Sequence, residues 1–148
     1  MAGNASPAVL SGFIRLASAL MEQLRINPDE IAPPAANYAH AVLTEHAERI
    51  LHTSGVVPIE PDGSVRADIA GQASTVWSNV AAILEEASMG FEDVVSVTTY
   101  VVSGEEIGAV MVARDTALGG NLVASTLVYV PELAQPAWKV EVAVVAVA

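Results

Sequence analysis

Residues 69–102 read IAGQASTVWSNVAAILEEASMGFEDVVSVTTYVV, and the fold turns on a change of period inside them. In the first part Ile69, Ala73, Val76, Trp77, Val80, Ile83, Leu84 and Ala87 recur at helical spacing and trace one apolar face. The spacing predicts an amphipathic helix over 69–89, with Asp68 as its N-cap and Gly90 at the left-handed position just past its end. From residue 93 the helical period is lost. DVVSVTTYVV is dense in β-branched side chains and holds neither Gly nor Pro, as a central strand requires.

The chain on either side extends this unit. After the strand, Ser103-Gly104-Glu105-Glu106 reads as a capping box, with Ser103 reaching forward and Glu106 back. It opens a second helix to about Leu118, with Ile107, Val110, Met111 and Ala117 inward and Gly119-Gly120 ending it. Strands over 122–130 and 138–147 follow, joined by a loop holding Pro131 and Pro136. Before the first helix, strands are expected over 38–43 and 49–53, with residues 44–48 turning between them as a hairpin. Ser54-Gly55 interrupts the second of these, and Gly in a strand marks a bulge or a close approach to the backbone. Pro61-Asp62-Gly63 signals a turn.

Residues 26–37 hold three prolines between positions 28 and 34 and read as a loop. Residues 7–24 carry a helical stripe of Leu10, Phe13, Ile14, Ala17, Leu20, Met21 and Leu24, with Ser6-Pro7 as N-cap and first turn. The expected organisation is an N-terminal helical extension, 1–30, and a domain, 31–148, of order β-β-α-β-α-β-β. This is an α+β domain with one sheet and both helices on one face. The other face also carries apolar positions that nothing else in the chain covers, and an oligomer would cover them.

Composition narrows the function. The 148 residues are 53% hydrophobic and 16% charged, too apolar for a disordered chain and rich for a small monomer. Six Lys and Arg against seventeen Asp and Glu give a net charge of −11, which disfavours nucleic acid and anionic membranes as partners. With no cysteine there is no disulfide, thiolate chemistry or Cys-ligated zinc. No apolar run reaches the roughly 18–20 residues of a membrane span, and the start of the chain lacks the basic segment of a signal peptide. A cytoplasmic protein is expected.

Few residues suggest chemistry. His40, His46 and His52 are six apart in each step, but no carboxylate pattern completes a set of three or four ligands, so no metal is expected. There is no Gly-rich phosphate loop and no nucleophile elbow. Glu141 stands out as the one carboxylate in WKVEVAVVAVA. Unpaired, it would be desolvated and suited to acid–base work. Alternatively Lys139, two residues away on the same strand face, pairs with it near solvent. Tyr38, where the proline-rich loop meets a strand, lines a pocket or covers a core edge. Ser54-Gly55 offers a hydroxyl and accessible backbone N–H groups.

Four segments in order, PPAANYAHAV, ILHTSGVVPIEPDGSV, IAGQASTVWSNVAAILEEASMGFEDVVSVTTYV and ASTLVYVPELAQPAWKVEVAVVAV, resemble the RidA (YjgF) family over about residues 33–148. The resemblance implies a chorismate-mutase-like fold and a homotrimer with a pocket at each subunit interface. It also implies a deaminase-like chemistry, the hydrolysis of reactive enamines and imines with release of ammonia, and no cofactor. It carries a pocket-lining Tyr to Tyr38, a Ser-Gly pair to Ser54 and Gly55, and a water-positioning Glu to Glu141. The family's last two strands are read as a closing hairpin. Its penultimate strand begins Pro-Ala-Arg-Ser, the Arg clamping a substrate carboxylate. Here the strand begins Val123-Ala124-Ser125-Thr126, so Ser125 occupies the arginine position; a frame shifted by one puts Ala124 or Thr126 there, neither of them basic, and Val56 replaces a Gln often found after Ser-Gly.

A bidentate guanidinium is the strong way to hold a small acid, and Ser125 offers one neutral hydrogen bond instead. Arg114 is another basic side chain that could reach the pocket. The expectation is therefore a trimer acting on a small, neutral metabolite by hydrolysis or proton transfer. Glu141 and Tyr38 would be catalytic, with Ser54, Gly55, Ser125 and Thr126 contacting substrate. A binding or chaperone-like protein without activity is the alternative, and an ordinary imine deaminase the third reading.

Overall fold

The structure, a computed structural model, describes residues 20–148. Six strands and two helices follow in the order β1 (Glu22–Ile26), β2 (Ala41–Glu45), β3 (Ile50–His52), α1 (Ile69–Glu86), β4 (Val94–Val102), α2 (Ile107–Leu118), β5 (Ala124–Val130) and β6 (Val140–Val147). β3, β6, β4 and β5 lie side by side in that order. β4 runs parallel to β5 and antiparallel to β6, while β3 is antiparallel to β6. Both helices therefore join parallel strands, β3 to β4 and β4 to β5, as the order predicted. Parallel strands need such crossovers because no tight turn can return the chain to the same end.

The α+β class holds, and three details of pairing differ. The expected hairpin over 38–53 does not form. β2 pairs instead with β1, Leu24 opposite Leu43, and β3 joins β6, so there is a separate two-stranded ribbon beside the four-stranded sheet. β1 is also where the expected helix over 7–24 fails. Residues 22–26 alternate as well as they follow a helical stripe, and over so few residues the period cannot decide. A facing strand supplies the hydrogen bonds that do. Positions 7–19 of that helix lie outside the described residues. Finally, β5 and β6 are not a hairpin; each pairs with a different edge of β4.

The core lies between the sheet and its helices. Val76, Trp77, Val80 and Leu84 of α1 and Val110 and Leu118 of α2 meet Val97 and Val101 of β4 and Val140, Val142 and Val144 of β6. Burying each such side chain contributes roughly 1.5–3 kcal/mol. The alternate residues of β6, Glu141, Ala143 and Val145, face away from the helices and are only half-buried. Cross-strand partners share a face, so Glu141 lies in one row with Tyr100 of β4 and Val128 of β5 on the open side.

Caps and buried amides fix the ends. Asp68 accepts a 2.7 Å hydrogen bond from Gly71 N–H, as expected of the N-cap. The helix closes one turn earlier than expected. Ser88, at φ 54°, takes the left-handed position predicted for Gly90, and Ser88 and Met89 N–H bond back to Glu85 and Leu84. Gly90 is extended and starts a single 3₁₀ turn, Phe91–Asp93. The capping box expected at α2 is absent: Ser103 Oγ donates to Val130 O across the strand ends, and Glu106 caps without a side-chain bond. Gln72, 1% exposed, donates to Arg66 O and Ala137 O and accepts from Lys139 N–H, tying the entry of β6 to α1.

Candidate functional site

One group of candidate residues forms where β3 ends. Thr53 N–H still bonds Val144 O at 3.1 Å; the chain then leaves the ladder and rejoins it at Val56, which exchanges hydrogen bonds of 2.7 and 3.1 Å with Val142. From His52 to Val56 is four residues, against three from Val145 to Val142 on β6. The extra residue is a bulge, and Ser54 and Gly55 are in it. Gly55 lies directly beneath Glu141: a methyl group on its Cα would overlap the Glu141 carboxylate. The glycine is needed here for close approach, as the sequence suggested. Val56, standing where the family often has Gln, is buried in the core.

Glu141 forms no ion pair with Lys139. The Lys139 ammonium sits 2.9 Å from Glu105 Oε1 instead. Lys139 precedes β6 and its stem turns to the loop after β4, so the alternation that would place it beside Glu141 does not yet apply. Among the described residues Glu141 has no hydrogen-bond partner, and its half-buried carboxylate is left facing the open side of the sheet.

The second group surrounds a cleft of about 490 Å³ lined by Tyr38, Met111, Arg114, Ser125, Thr126 and Leu127, among others. An isolated parallel bridge, Ala39 to Ala124, lays the Tyr38 segment along the outer edge of β5. Arg114 and Asp115 of α2 hold that segment in place. Arg114 Nη2 donates to Asn37 O at 3.3 Å, and Asn37 Nδ2 donates to Asp115 Oδ2 at 2.8 Å. Arg114 also donates through Nε and Nη2 to Asp115 Oδ1, at 2.9 and 2.7 Å, and through Nη1 to Ser125 Oγ at 3.2 Å. Although 3% exposed, Arg114 has four of its five N–H groups bonded and its charge paired with Asp115, as a buried guanidinium requires. Tyr38 Oη accepts from Ala35 N–H at 3.3 Å, and its ring stands edge-on to His40 at 6.0 Å. His40 itself bonds the carbonyl of Ala32.

Ser125 therefore has a cationic neighbour supplied by a helix. Sequence spacing alone could only name Arg114 as available. Its role depends on α2 crossing over the start of β5, where Ser125 pairs with Val97 on the helix side of the sheet.

On one chain these two groups are apart. β6 and β5 flank β4, so Glu141 and the Thr126 strand are separated by two strand spacings, about 10 Å. Thr126 shares the open face with Glu141, while Ser125 points to the other side. A further hollow of about 580 Å³ between α1 and α2 is lined by Trp77, Phe91, Val112 and small residues, without a titratable side chain. Among the described residues no cluster of three metal-ligating side chains occurs, and no helix is long and apolar enough to cross a membrane.

Residues 29–148 match the profile of the family described as Endoribonuclease L-PSP. A RutC family protein of Pyrococcus abyssi (strain GE5 / Orsay) is 37% identical over 75 residues, 49% of this chain and 57% of that protein. The match thus spans little more than half of that relative. A protein of the conserved Rid family from Yersinia pestis, YyfB, superposes with a TM-score of 0.75 at 26% identity, over 85% of this chain and 98% of its own. Escherichia coli TdcF, solved with bound serine, has the same fold at TM-score 0.64 and 21% identity, over 84% of this chain and 98% of its own.

Proposed function

The chain belongs to the endoribonuclease L-PSP family, the family of the RidA (YjgF) proteins, and from that premise we propose that it is a homotrimer whose pockets lie between subunits and act on a small neutral metabolite by hydrolysis or proton transfer. One observation carries the proposal. Glu141, Ser54 and Gly55 form one half of a site, Tyr38, Ser125 and Thr126 another, and on a single chain they stand apart. Contact between subunits brings the first half of one chain against the second half of the next. Glu141 then holds water or moves a proton, Tyr38 lines the site as a donor, and Ser125 and Thr126 contact the substrate. Exposed apolar side chains support burial against another copy: Ile50 is 63% exposed, Leu24 60% and Leu43 45%.

Despite the family's description, RNA is not the substrate we propose. The net charge is −11, and each basic side chain among the described residues is already engaged: Arg25 with Asn121, Arg49 with the Ala87 carbonyl, Arg66 with Glu60, Arg114 with Asp115, Lys139 with Glu105. Phosphates, which supply most of the affinity for a nucleic acid, would have to compete with these partners.

The reaction is tested by generating imines in situ, carboxylated ones with an amino-acid oxidase and neutral ones with an amine oxidase, and following ammonia release. The protein is expected to accelerate only the neutral class, and Glu141→Gln to abolish that acceleration. Rapid hydrolysis of 2-imino acids by the unmodified protein would overturn the neutral-substrate reading. No activity of any kind, with tight metabolite binding that survives Glu141→Gln, would favour a binding protein.

A further inference from the structure

Among the apolar side chains of Ala36, Ile107, Met111 and Leu127, the cleft wall at Ser125 offers a group of hydrogen-bond donors. A guanidinium has five N–H groups, and four of those on Arg114 are taken: Nε and one on Nη2 by Asp115, the other on Nη2 by Asn37 O, and one on Nη1 by Ser125. The fifth, on Nη1, has no partner among the described residues. Ser125 Oγ accepts from Arg114, so its own hydrogen is free to be given, and no acceptor for it occurs among the described residues. Tyr38 Oη likewise accepts, from Ala35 N–H, and keeps its proton for a ligand. Three donors from three elements line one 490 Å³ cleft.

Such a wall complements an oxygen acceptor on the ligand. Whether that oxygen is charged depends on Asp115. Its carboxylate is 2.7 Å from Arg114 and 36% exposed, and from just outside the cleft it neutralises the guanidinium. A carboxylate ligand would find the cation already paired and a second anion beside it. A carbonyl oxygen would find the same donors and no repulsion.

Resting on the proposed reading of this cleft as a substrate site, we infer that Arg114 and Asp115 together set its specificity: Arg114 and Ser125 bind a carbonyl oxygen of a neutral ligand, such as an amide, and Asp115 excludes the corresponding carboxylate. Arg114 is the ligand-binding member. Asp115 is a positioning residue that acts through Arg114.

The probes are 2-oxobutanamide and 2-oxobutyrate, titrated calorimetrically into the full-length protein, Asp115→Asn and Ser125→Ala. Wild type is expected to prefer the amide by about tenfold or more, a step of 1.4 kcal/mol. Asp115→Asn, at a partly exposed position, is expected to fold and to shift the ratio about tenfold toward the acid. Ser125→Ala is expected to weaken the amide without improving the acid. A merely structural Asp115 would, when replaced, weaken both probes equally. That result, an unchanged ratio, or no binding of either probe would overturn the inference. Light scattering on the same samples separates the two readings, because a monomer that still shows the shift would refute the shared pocket and leave the specificity pair standing.

Discussion

At the scale of the residue, Gly55 and Glu141 are the sharpest test of the first half-site. The Glu141 side chain lies over the glycine, and its carboxyl end can swing aside. Gly55→Ala is therefore expected to leave the urea midpoint nearly unchanged while displacing the carboxylate. A displacement of about 1 Å costs on the order of 100-fold in rate. Parallel urea melts and turnover measurements on the variant check this. A large loss of stability with normal activity would mean that the backbone yields and the carboxylate stays. Glu141 stood out as a candidate because it is the only acid in a run of valines and alanines. Its freedom from Lys139 was not, since a long lysine stem can serve either neighbour and only the fold brings Glu105 to it.

At the scale of the element, α1 supplies more of the core than any other single element and gives two predictions. Leu84 is 1% exposed, and Leu84→Ala is expected to cost about 2–5 kcal/mol in urea unfolding with the slope unchanged. The N-cap gives a pH dependence. The hydrogen bond from Gly71 N–H holds the Asp68 carboxyl below its ordinary pKa. A group whose pKa is depressed on folding stabilises above its unfolded pKa and loses that contribution as pH falls through its folded one. The Tm gap between wild type and Asp68→Ala should thus be open at neutral pH and narrow below about pH 4, where aspartates protonate. A gap constant with pH would show that the charged cap contributes nothing. Both helices, the central strand and the crossovers were legible because their periods run long enough to be unambiguous. The short pieces were not: five residues at 22–26 fit two periods, and no local signal told β2 to choose β1 over β3. Ser103-Glu106 matched a cap pattern and lost it because Val130 competed for the hydroxyl.

At the scale of the whole molecule, the family, the sheet with its two helices and the open face agree with what the order of segments implied. On the proposed reading, one chain does not contain a complete site. Six candidate residues fall into two groups, and the sequence could not show this because faces and strand order emerge only from pairing across β4. The charge makes a separate prediction: no salt-sensitive shift of mixed RNA at physiological ionic strength. The proposed shared site requires assembly, and multi-angle light scattering at micromolar concentration tests that most directly. A chain of 15.3 kDa is predicted to elute as one species of about 46 kDa, a closed trimer. A stable species of 15.3 kDa would contradict the account.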